Sequence, residues 1–473
     1  MIEYAIVVLL VGAFLTPVFK RSFVPLAAIL FSFLVMASVF MQGQTVIMKF
    51  SGWSPPFGIV WVVDSFNALM GLLVTGMAML VAIYSTKYVR ERKSRFFTLL
   101  CLMTAGLLGV TLTGDVFNMY VFFEILSIAC YGLVAFNTDK EAIEGALKYI
   151  VLGPLASSFI LLGIAMLYGL TGTLNMADIA LKVGPDIAFN VAFGFLIGGF
   201  ALKSAIVPFH FWLPDVHPVA PSPISAMLSG VVVGTGVYTV MRIIFTIFGF
   251  SGIMWMFVAF GVLTMIIGGI IAIVQTNVKR MIAYSTVSQS GYIFLAFGLG
   301  THLGVSAAIF HLVNNIVIKS LLFLAAGIII WHTGKKDMRD LGGLGKQLPL
   351  VMICFGIGAL SITGLPPLNG FVSKWMIYSA TWEISPVLTA IAVIVSAMTL
   401  IYYMKAFSCV FLGHSKCEIK EKTPLAMLLP VIILAAVCVF LGVFPQLAIG
   451  VIERATGALL DQSQYITAVL GGG

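Results

Sequence analysis

Five ionisable side chains lie inside apolar runs of the sequence, where they could carry protons or ions. Glu124 occurs in VFFEILSIACYGL, Lys203 in FALKSAIVPF, and Lys374 in GLPPLNGFVSKW. His311 and Lys319 share the run FHLVNNIVIKSLLFLAAG. A charge at the centre of a membrane span costs roughly 2.5–3.5 kcal/mol on insertion scales, so such residues mark proton or ion pathways by default. We therefore expect these five residues to take part in proton translocation.

The spacing of His311 and Lys319 supports a relay. They are separated by two helical turns, which puts them on one face of a helix. Histidine titrates near neutral pH, and a buried lysine changes its protonation state readily. The structural alternative is that Glu124 and Lys203 form an ion pair that only pins two helices, and that His311 is a satisfied core residue. Because desolvation offsets the attraction within a buried pair, we favour the relay.

Two of the buried lysines stand next to prolines that interrupt a helix. Pro208 follows Lys203 closely, and Pro366–Pro367 precede Lys374. Proline removes a backbone hydrogen bond, and irregular backbone at membrane depth is tolerated only inside protein or beside water. About five spans separate the two interruptions, and since that number is odd, the two units should be inverted relative to each other, as in many transporters.

The composition requires a membrane environment for the whole chain. Of its 473 residues, 60% are hydrophobic and 9% are charged, whereas soluble domains carry about 25% charged residues. Runs of about 20 apolar residues suit a bilayer, and they predict an all-α bundle of about fourteen spanning helices. These cover residues 2–19, 23–41, 58–84, 96–113, 115–136, 147–170, 187–213, 221–248, 253–274, 282–299, 303–331, 349–381, 385–411 and 424–443. No segment between them is long enough for a soluble catalytic domain.

These spans divide the chain into four segments. They are helices 1–3 at 1–95, a first repeat of helices 4–8 at 96–250, a second, inverted repeat of helices 9–13 at 251–411, and helix 14 with an amphipathic tail at 412–473. The tail, AIGVIERATGALLDQSQY, is expected to lie at the membrane interface and to pack on neighbouring subunits.

Basic residues indicate the orientation of the bundle. With both chain ends outside, eighteen of the 26 Lys and Arg residues fall in inside loops and three fall outside. This bias follows the positive-inside rule, and it explains the net charge of +8 without any nucleic acid partner. The remaining five, within spans, are Lys203, Arg242, Lys319, Lys374 and Lys405. Arg242 and Lys405 lie near helix ends, where we expect them to snorkel to the interface.

We expect neither a metal nor a redox centre in this chain. The six cysteines are scattered without CxxC or CxxH spacing, which disfavours disulfides, zinc and iron–sulfur clusters. His210, Asp215 and His217 cluster in PFHFWLPDVHP and could suggest a metal site. The prolines around them favour loop architecture and helix capping instead. Asp215 and His217 are also candidates for shaping proton uptake from the inner side.

The sequence resembles the antiporter-like subunits shared by respiratory complex I, Mrp-type cation/proton antiporters and membrane-bound hydrogenases. The stretches that carry the resemblance are FNMYVFFEILSI, ALKSAIVPFHFWLPDVHPVAPSPISAML, VKRMIAYSTVSQSGYI, FHLVNNIVIKSLLFLAAG and GLPPLNGFVSKW. The segment LKYIVLGPLASSF is most similar to the D subunit of Mrp antiporters.

The resemblance implies a row of ionisable residues at mid-membrane. Glu124 would modulate the protonation of Lys203 on the seventh helix. His311 and Lys319 would lie on the connecting eleventh helix, and Lys374 would face the exit. The candidate supporting residues are Lys148, His210, Asp215, His217, Ser229 and Asn315.

The chain departs from its relatives on the eighth helix, where they often carry a lysine or histidine. Here LSGVVVGTGVY offers Ser229, Gly230 and Gly234 instead. Water threaded past these small residues could bridge the gap; without it, this copy would conduct poorly. Asn315 stands where some relatives have another histidine.

Three functions remain open from the sequence. The first is a proton-translocating subunit of a redox-driven complex, such as a membrane-bound hydrogenase, a sulfur reductase or a complex I-like assembly. The second is a component of a Mrp-type Na⁺/H⁺ antiporter without a redox partner, and the third is a non-conducting membrane scaffold. The expected partners are other membrane subunits, peripheral redox subunits, H⁺ and Na⁺, and the lipid bilayer. No cofactor is expected in this chain, and the expected location is the plasma membrane of a prokaryotic cell.

Overall fold

The structure is a computed structural model that describes residues 2–19, 23–249, 254–419 and 421–471. The helices up to the first buried lysine are α1 (Ile2–Phe19), α2 (Phe23–Gln42), α3 (Ser65–Tyr88), α4 (Lys93–Leu112), α5 (Val116–Val134), α6 (Lys140–Thr171), α7 (Met176–Lys182) and α8 (Ile187–Lys203). The middle of the chain forms α9 (Trp212–Val216), α10 (Ser222–Ala226), α11 (Val233–Ile243), α12 (Met254–Val274), α13 (Val278–Gly298) and α14 (His302–Thr333). The last helices are α15 (Pro349–Thr363), α16 (Asn369–Ile384), α17 (Pro386–Phe411), α18 (Leu425–Val443), α19 (Pro445–Leu460) and α20 (Gln462–Leu470).

Eleven helical segments in the described ranges are long and apolar enough to cross a membrane. The shorter apolar helices α8 and α15 accompany them. The protein is therefore a multi-pass membrane protein, as its composition predicts. Helix α13 is not among the eleven, because its interior carries a series of polar side chains. These are Ser285, Thr286, Ser288, Gln289 and Ser290.

A short hairpin precedes the third span and shifts its start. Strands β1 (Val46–Lys49) and β2 (Val60–Val63) pair antiparallel, in keeping with the preference of β-branched valines for strands. The Asp64 carboxylate then accepts the backbone N–H groups of Phe66 and Asn67 at 2.9 Å. This cap begins α3 at Ser65, so the predicted start at residue 58 was wrong. We call this side of the bundle the hairpin end.

The seventh predicted span, 187–213, is shorter than the sequence suggested. Helix α8 stops at Lys203, and the next residues turn through Ala205, which has a φ of +53°. Pro208 follows and cannot donate a backbone hydrogen bond, so the chain does not return to a helix until α9.

The twelfth predicted span, 349–381, consists of two helices. Helix α15 ends at Thr363, where Gly364 adopts a φ of +88° that favours glycine. Pro366 and Pro367 separate it from α16. Lys374 lies in the first turns of α16, and Lys203 is the last residue of α8. Each lysine therefore stands beside a helix terminus.

Two helical segments form the interior of the bundle. One runs from Ser222 to Phe248 and includes π-helical turns at Met227–Val232 and Ile244–Phe248. The other is α14, whose residues are nearly all buried from Gly304 to Ile329. Turns of π-helix in a buried span often accompany functional sites.

The C-terminal tail packs on its own chain. Helix α19 lies against α3 and α14, and α20 lies against α7. The ring of Tyr465 in α20 covers the guanidinium of Arg242 at 4.8 Å. The inner face of the tail, which includes Ile452, Ala455 and Leu459, is therefore covered by this chain rather than available to a neighbour.

Candidate functional site: a row of buried cations

Lys203 is held at the end of α8 by a hydroxyl group. Its Nζ donates to Ser127 Oγ on α5 at 2.8 Å and lies 6.0 Å from the ring centroid of Phe123. Glu124, the predicted partner, accepts a hydrogen bond from Ser157 on α6 instead. In the described part of the chain no ion pair joins Glu124 to Lys203 directly, although the two interact electrostatically. Ser127 therefore holds Lys203 and Ser157 holds Glu124, and the two charged groups interact without a direct ion pair.

Glu124 lies at the perimeter of the bundle, not in its centre. Its side chain is partly exposed, and Ile128, one turn further along α5, is 66% exposed. A carboxylate at membrane depth does not face hydrocarbon stably. The face of α5 that carries Glu124 therefore requires cover from protein or water.

One face of α14 carries three of the candidate residues. His311, Asn315 and Lys319 follow each other at four-residue spacing and are fully or almost fully buried. Lys319 Nζ donates to Ser285 Oγ at 2.6 Å and to the Tyr403 hydroxyl at 3.2 Å. The sequence correctly grouped the two ionisable residues on one helix face, and α13 and α17 supply the hydroxyls that hold Lys319.

Lys374 occupies a cradle beside the break between α15 and α16. Its Nζ donates to the Thr363 carbonyl at 3.2 Å and to Ser396 Oγ at 2.9 Å. The ring centroid of Tyr292 lies 4.8 Å from the same atom. The carbonyl that the broken helix frees thus becomes a partner for the ammonium group.

His311 lies between α13 and α16. Its Nε2 is 3.1 Å from Gln289 Oε1, and its Nδ1 is 3.0 Å from Ser373 Oγ. Ser373 immediately precedes Lys374. The structure thus brings His311, Lys319 and Lys374 into one connected region, with Lys203 and Glu124 on the other side of the eighth span.

The eighth span is closely packed where water could bridge the two halves of the row. Gly230 packs on Ser320 and on the Ile316 carbonyl, and Gly234 packs on Ile316 and Leu312. An added Cβ at either glycine would stand within 3.4 Å of these neighbours. Ser229 instead shares a 2.5 Å hydrogen bond with Thr286 on α13. A hydroxyl pair therefore occupies the position between the two halves of the row.

The supporting residues Lys148 and Asp215 lie at the end opposite the hairpin, which we call the basic end. Lys148 pairs with Asp215 and Glu144, each at 3.1 Å. Arg280 pairs with Asp215 at 2.7 Å. These side chains are partly or largely exposed, so they form a surface charge cluster that a proton could reach from water.

His210 and His217 are buried above this cluster. His210 Nδ1 and both ring nitrogens of His217 lack hydrogen-bond partners in the described residues. His217 stacks on Phe323 with centroids 4.6 Å apart. Within the described ranges, no group of three or more His, Cys, Asp or Glu residues could hold a metal ion. The structure therefore gives no support to the metal alternative for His210, Asp215 and His217.

Sequence reasoning missed the role of two further cations. Arg242 does not snorkel: it is buried and pairs with Asp64, while its Nη2 also donates to Asn67 Oδ1 at 2.8 Å. Lys279 is buried too, and donates to the Ala220 carbonyl at 2.5 Å. The cap at Asn277, which starts α13 just before Lys279, was the signal that this lysine belongs to a helix.

Lys405 follows the expectation only partly. Lys405 lies toward the end of α17, and its Nζ donates to the carbonyls of Ile273 and Gln275 at 2.8 and 3.0 Å. It thereby caps the C-terminal carbonyls of α12, instead of only extending toward the membrane interface. At the surface of the same end, Asp337 binds Arg339 in a bidentate pair, which lowers the pKa of the Asp337 carboxyl.

A helical membrane bundle with buried lysines beside helix ends is the arrangement of a class of antiporter-like membrane subunits. The sequence model of the family described as NADH:quinone oxidoreductase/Mrp antiporter, TM, matches residues 113–399. A second model, described as NADH-ubiquinone oxidoreductase (complex I), chain 5 N-terminus, matches residues 50–97. The chain belongs to this NADH:quinone oxidoreductase/Mrp antiporter family.

Individual relatives cover nearly the whole chain. It is 34% identical to the N subunit of the NADH-quinone oxidoreductase of Desulforudis audaxviator, over 92% of this chain and 93% of that protein. It is also 34% identical to the D subunit of the Na⁺/H⁺ antiporter of Alkalihalophilus pseudofirmus, over 95% and 93%. A chain of the membrane-bound sulfane sulfur reductase, an archaeal respiratory membrane complex, superposes with a TM-score of 0.93 at 33% identity, covering 99% of both chains.

Proposed function

We propose that this protein is a proton-translocating, antiporter-like subunit of a multisubunit ion-pumping complex. In this proposal Lys203, Lys319, His311 and Lys374 pass protons across the interior, and Glu124 biases the charge of Lys203. The energy comes from partner subunits, which in a respiratory complex carry the redox chemistry. This chain itself contributes no cofactor.

The observation that carries the proposal is the way in which the buried lysines are held. Lys203, Lys319 and Lys374 are buried, and in the described ranges each is bound by hydroxyls or a carbonyl and none by a carboxylate. A lysine held by neutral oxygens can lose its proton without leaving a buried carboxylate unpaired. A proton relay needs this property, because each lysine must alternate between its charged and neutral forms. A structural ion pair requires the opposite arrangement.

The position of Glu124 supports membrane partners. Its partial exposure at the bundle perimeter suits a neighbouring membrane protein that covers α5 and exchanges charge with Glu124. Similarity to chains of a sulfane sulfur reductase and of a Na⁺/H⁺ antiporter is consistent with such an assembly.

We further propose fourteen spans with two inverted five-helix units, at 96–250 and 251–411, each with a broken helix and a buried lysine. The ends of α8 and α15 beside Lys203 and Lys374 are consistent with this arrangement. Both chain ends would lie outside the plasma membrane of a prokaryotic cell, with the basic end inside.

Each of the two alternative functions is supported by one specific observation. Similarity to the D subunit of a Na⁺/H⁺ antiporter favours a component of a Mrp-type antiporter that works without a redox partner. The close packing of Ile316 against Gly234 favours a non-conducting scaffold.

The test is ion transport by the complex, purified and reconstituted in liposomes, with Lys203→Ala and Glu124→Ala. Lys182→Ala is the matched control, because Lys182 is a half-exposed lysine that pairs with Asp178. Native gels verify assembly for every variant. We expect transport to collapse in Lys203→Ala and to fall in Glu124→Ala, with the control unchanged.

The same liposomes separate the alternatives. Transport that starts only with an electron donor and acceptor supports a redox-driven complex. Transport driven by a Na⁺ gradient alone supports the antiporter. Full transport by an assembled Lys203→Ala complex would contradict the proposed relay. The non-conducting scaffold would then be the remaining function for this chain.

A further inference from the structure

His311 has a different partner on each of its ring nitrogens. Gln289 on α13 faces Nε2, and Ser373 on α16 faces Nδ1. All three side chains are completely buried. The ring is therefore fixed in orientation by side chains from two different helices.

The two partners differ in what they can do. Ser373 can donate its proton to Nδ1, or it can accept from Nδ1–H and donate to the Gly370 carbonyl, 3.3 Å away. A rotation of one hydroxyl thus satisfies Nδ1 both as an acceptor and as a donor. The Gln289 amide has no such freedom, because its oxygen only accepts and its nitrogen only donates.

The amide oxygen of Gln289 is the end that faces His311. An imidazolium carries a proton on both nitrogens and needs an acceptor on each side, so this orientation suits the charged ring. In the opposite orientation the amide nitrogen would donate to a bare Nε2, and the ring proton would lie on Nδ1. Gln289 Nε2 makes no hydrogen bond within the described residues, although its side chain interacts more weakly with the Tyr402 hydroxyl.

We infer that Gln289 and Ser373 make His311 a one-sided proton carrier. Gln289 Oε1 holds the proton on Nε2 in both charge states. The lone pair of Nδ1 takes up the transported proton from the Ser373 side, which gives the imidazolium, and returns it on that side. His311 therefore exchanges the transported proton only with the side of α16, which carries Lys374, and not through Nε2 with α13.

This inference rests on the proposed function and names positioning residues for it. Lys319 and Lys374 are the charged groups that act on His311 electrostatically. The ring of Tyr292, whose centroid is 5.9 Å from that of His311, is the aromatic neighbour. None of these groups hydrogen-bonds to the imidazole, so the tautomer is set by Gln289 and Ser373 alone within the described residues.

The first test compares transport by the assembled complex in four variants. Gln289→Leu and Ser373→Ala are expected to slow transport about 10- to 100-fold, by analogy with the loss of a partner that orients a metal-binding histidine. Ser373→Thr keeps the hydroxyl and is expected to retain most of the rate. Ser290→Ala is the matched control, because Ser290 is buried next to Gln289 and its hydroxyl has no described partner.

The second test reads the tautomer directly. ¹⁵N-histidine labelling of the complex, with His311→Asn to identify the signal by difference, should give a protonated Nε2 and a bare Nδ1 at high pH. Gln289→Leu should abolish this preference. A protonated Nδ1 in the unmodified complex would overturn the inference, as would wild-type transport in assembled Gln289→Leu.

The two proposals fail in different ways. If Lys203→Ala stops transport while Gln289→Leu leaves both transport and tautomer unchanged, the relay stands and the role of Gln289 is wrong. If Lys203→Ala leaves transport intact, the proposed function itself is wrong.

Discussion

Two kinds of buried cation coexist in this chain, and their partners distinguish them. Arg242 has a carboxylate from Asp64 and an amide oxygen from Asn67, whereas Lys203, Lys319 and Lys374 have only neutral oxygens. A guanidinium does not deprotonate in proteins, and a paired one is suited to hold helices together. We therefore assign a stabilising role to Arg242, and we propose transport only for the lysines.

Removal of Arg242 should lower the free energy of unfolding without directly changing the lysines of the proposed relay. Arg242→Met leaves Asp64 buried and uncompensated, and loss of one partner from a buried pair costs about 3–5 kcal/mol. Thermal unfolding of the detergent-solubilised protein measures this change. Arg454→Met, which removes an exposed arginine, should stay within about 0.5 kcal/mol of the parent. Equal effects of the two substitutions would contradict a structural role for Arg242.

Asp115 gives the protein a pH dependence outside its spans. Its carboxylate caps α5 by accepting Asn118 N–H at 2.7 Å, but burial raises its pKa to about 6. The folded state therefore binds more protons than the unfolded state between pH of about 4 and about 6. Stability should fall as pH rises through that window, by at most about 1.4 kcal/mol per pH unit.

The matched variant for this effect is Asp115→Asn, which keeps an acceptor for the cap and removes the titration. Melting temperatures measured from pH 4 to pH 8 should decline less steeply for Asp115→Asn than for the parent. Parallel curves for the two proteins would show that Asp115 does not titrate in this window.

The sequence predicted the buried ionisable residues but not the atoms that hold them. Lys203, His311, Lys319 and Lys374 stood out because each interrupts an apolar run. Ser127, Ser285, Ser373 and Ser396 did not, because a serine in a membrane helix carries no comparable signal and its partner lies far away in the sequence. The pairing of Arg242 with Asp64 was also missed, because the two residues lie far apart in the sequence.

At the scale of elements, close packing of helices fixes the position of Lys203. Gly236 on α11 lies directly against the end of α8, and an added Cβ there would stand 3.0 Å from the Lys203 carbonyl carbon and from Ser204 Oγ. Because backbone atoms cannot rotate away, any larger residue must push the two helices apart.

Gly236→Ala should therefore displace the end of α8. Overpacking of this kind costs about 1–3 kcal/mol, and transport should fall because Lys203 moves relative to Ser127. Transport and melting temperature are measured together in the reconstituted complex. Gly194→Ala is the control, because a Cβ on Gly194 of α8 meets no atom within 4 Å. Normal transport by Gly236→Ala would show that the register of α8 and α11 is not critical.

Hydropathy located the helices well, and it failed where local chemistry decides their ends. The start of α3 depends on the Asp64 cap, and the end of α15 depends on Gly364 and the two prolines that follow. Average hydrophobicity over a window contains no information about a single cap or a single turn. Hydropathy also leaves open whether water passes Gly234, because the position of Ile316 depends on how α11 and α14 cross, which the sequence pattern does not specify.

At the scale of the molecule, the exposed face of α5 predicts a protein neighbour. A photo-crosslinking amino acid at Ile128, one turn from Glu124, should form adducts with another membrane protein of the purified complex. The reason is that a partly exposed carboxylate at this depth needs a polar or protein environment. Mass spectrometry identifies the adducts. Adducts with lipid alone would show that this face lies against the bilayer.

The packing of the C-terminal tail has a consequence for biosynthesis. Helices α18 and α19 pack against α3, and Tyr465 of α20 covers Arg242, so an early element receives its cover from residues that are translated much later. At about 5–20 residues per second, α3 waits tens of seconds for that cover. A chain whose translation stalls before Pro445 lacks the Tyr465 ring that covers Arg242, so the Asp64–Arg242 pair remains incompletely covered until those later residues arrive.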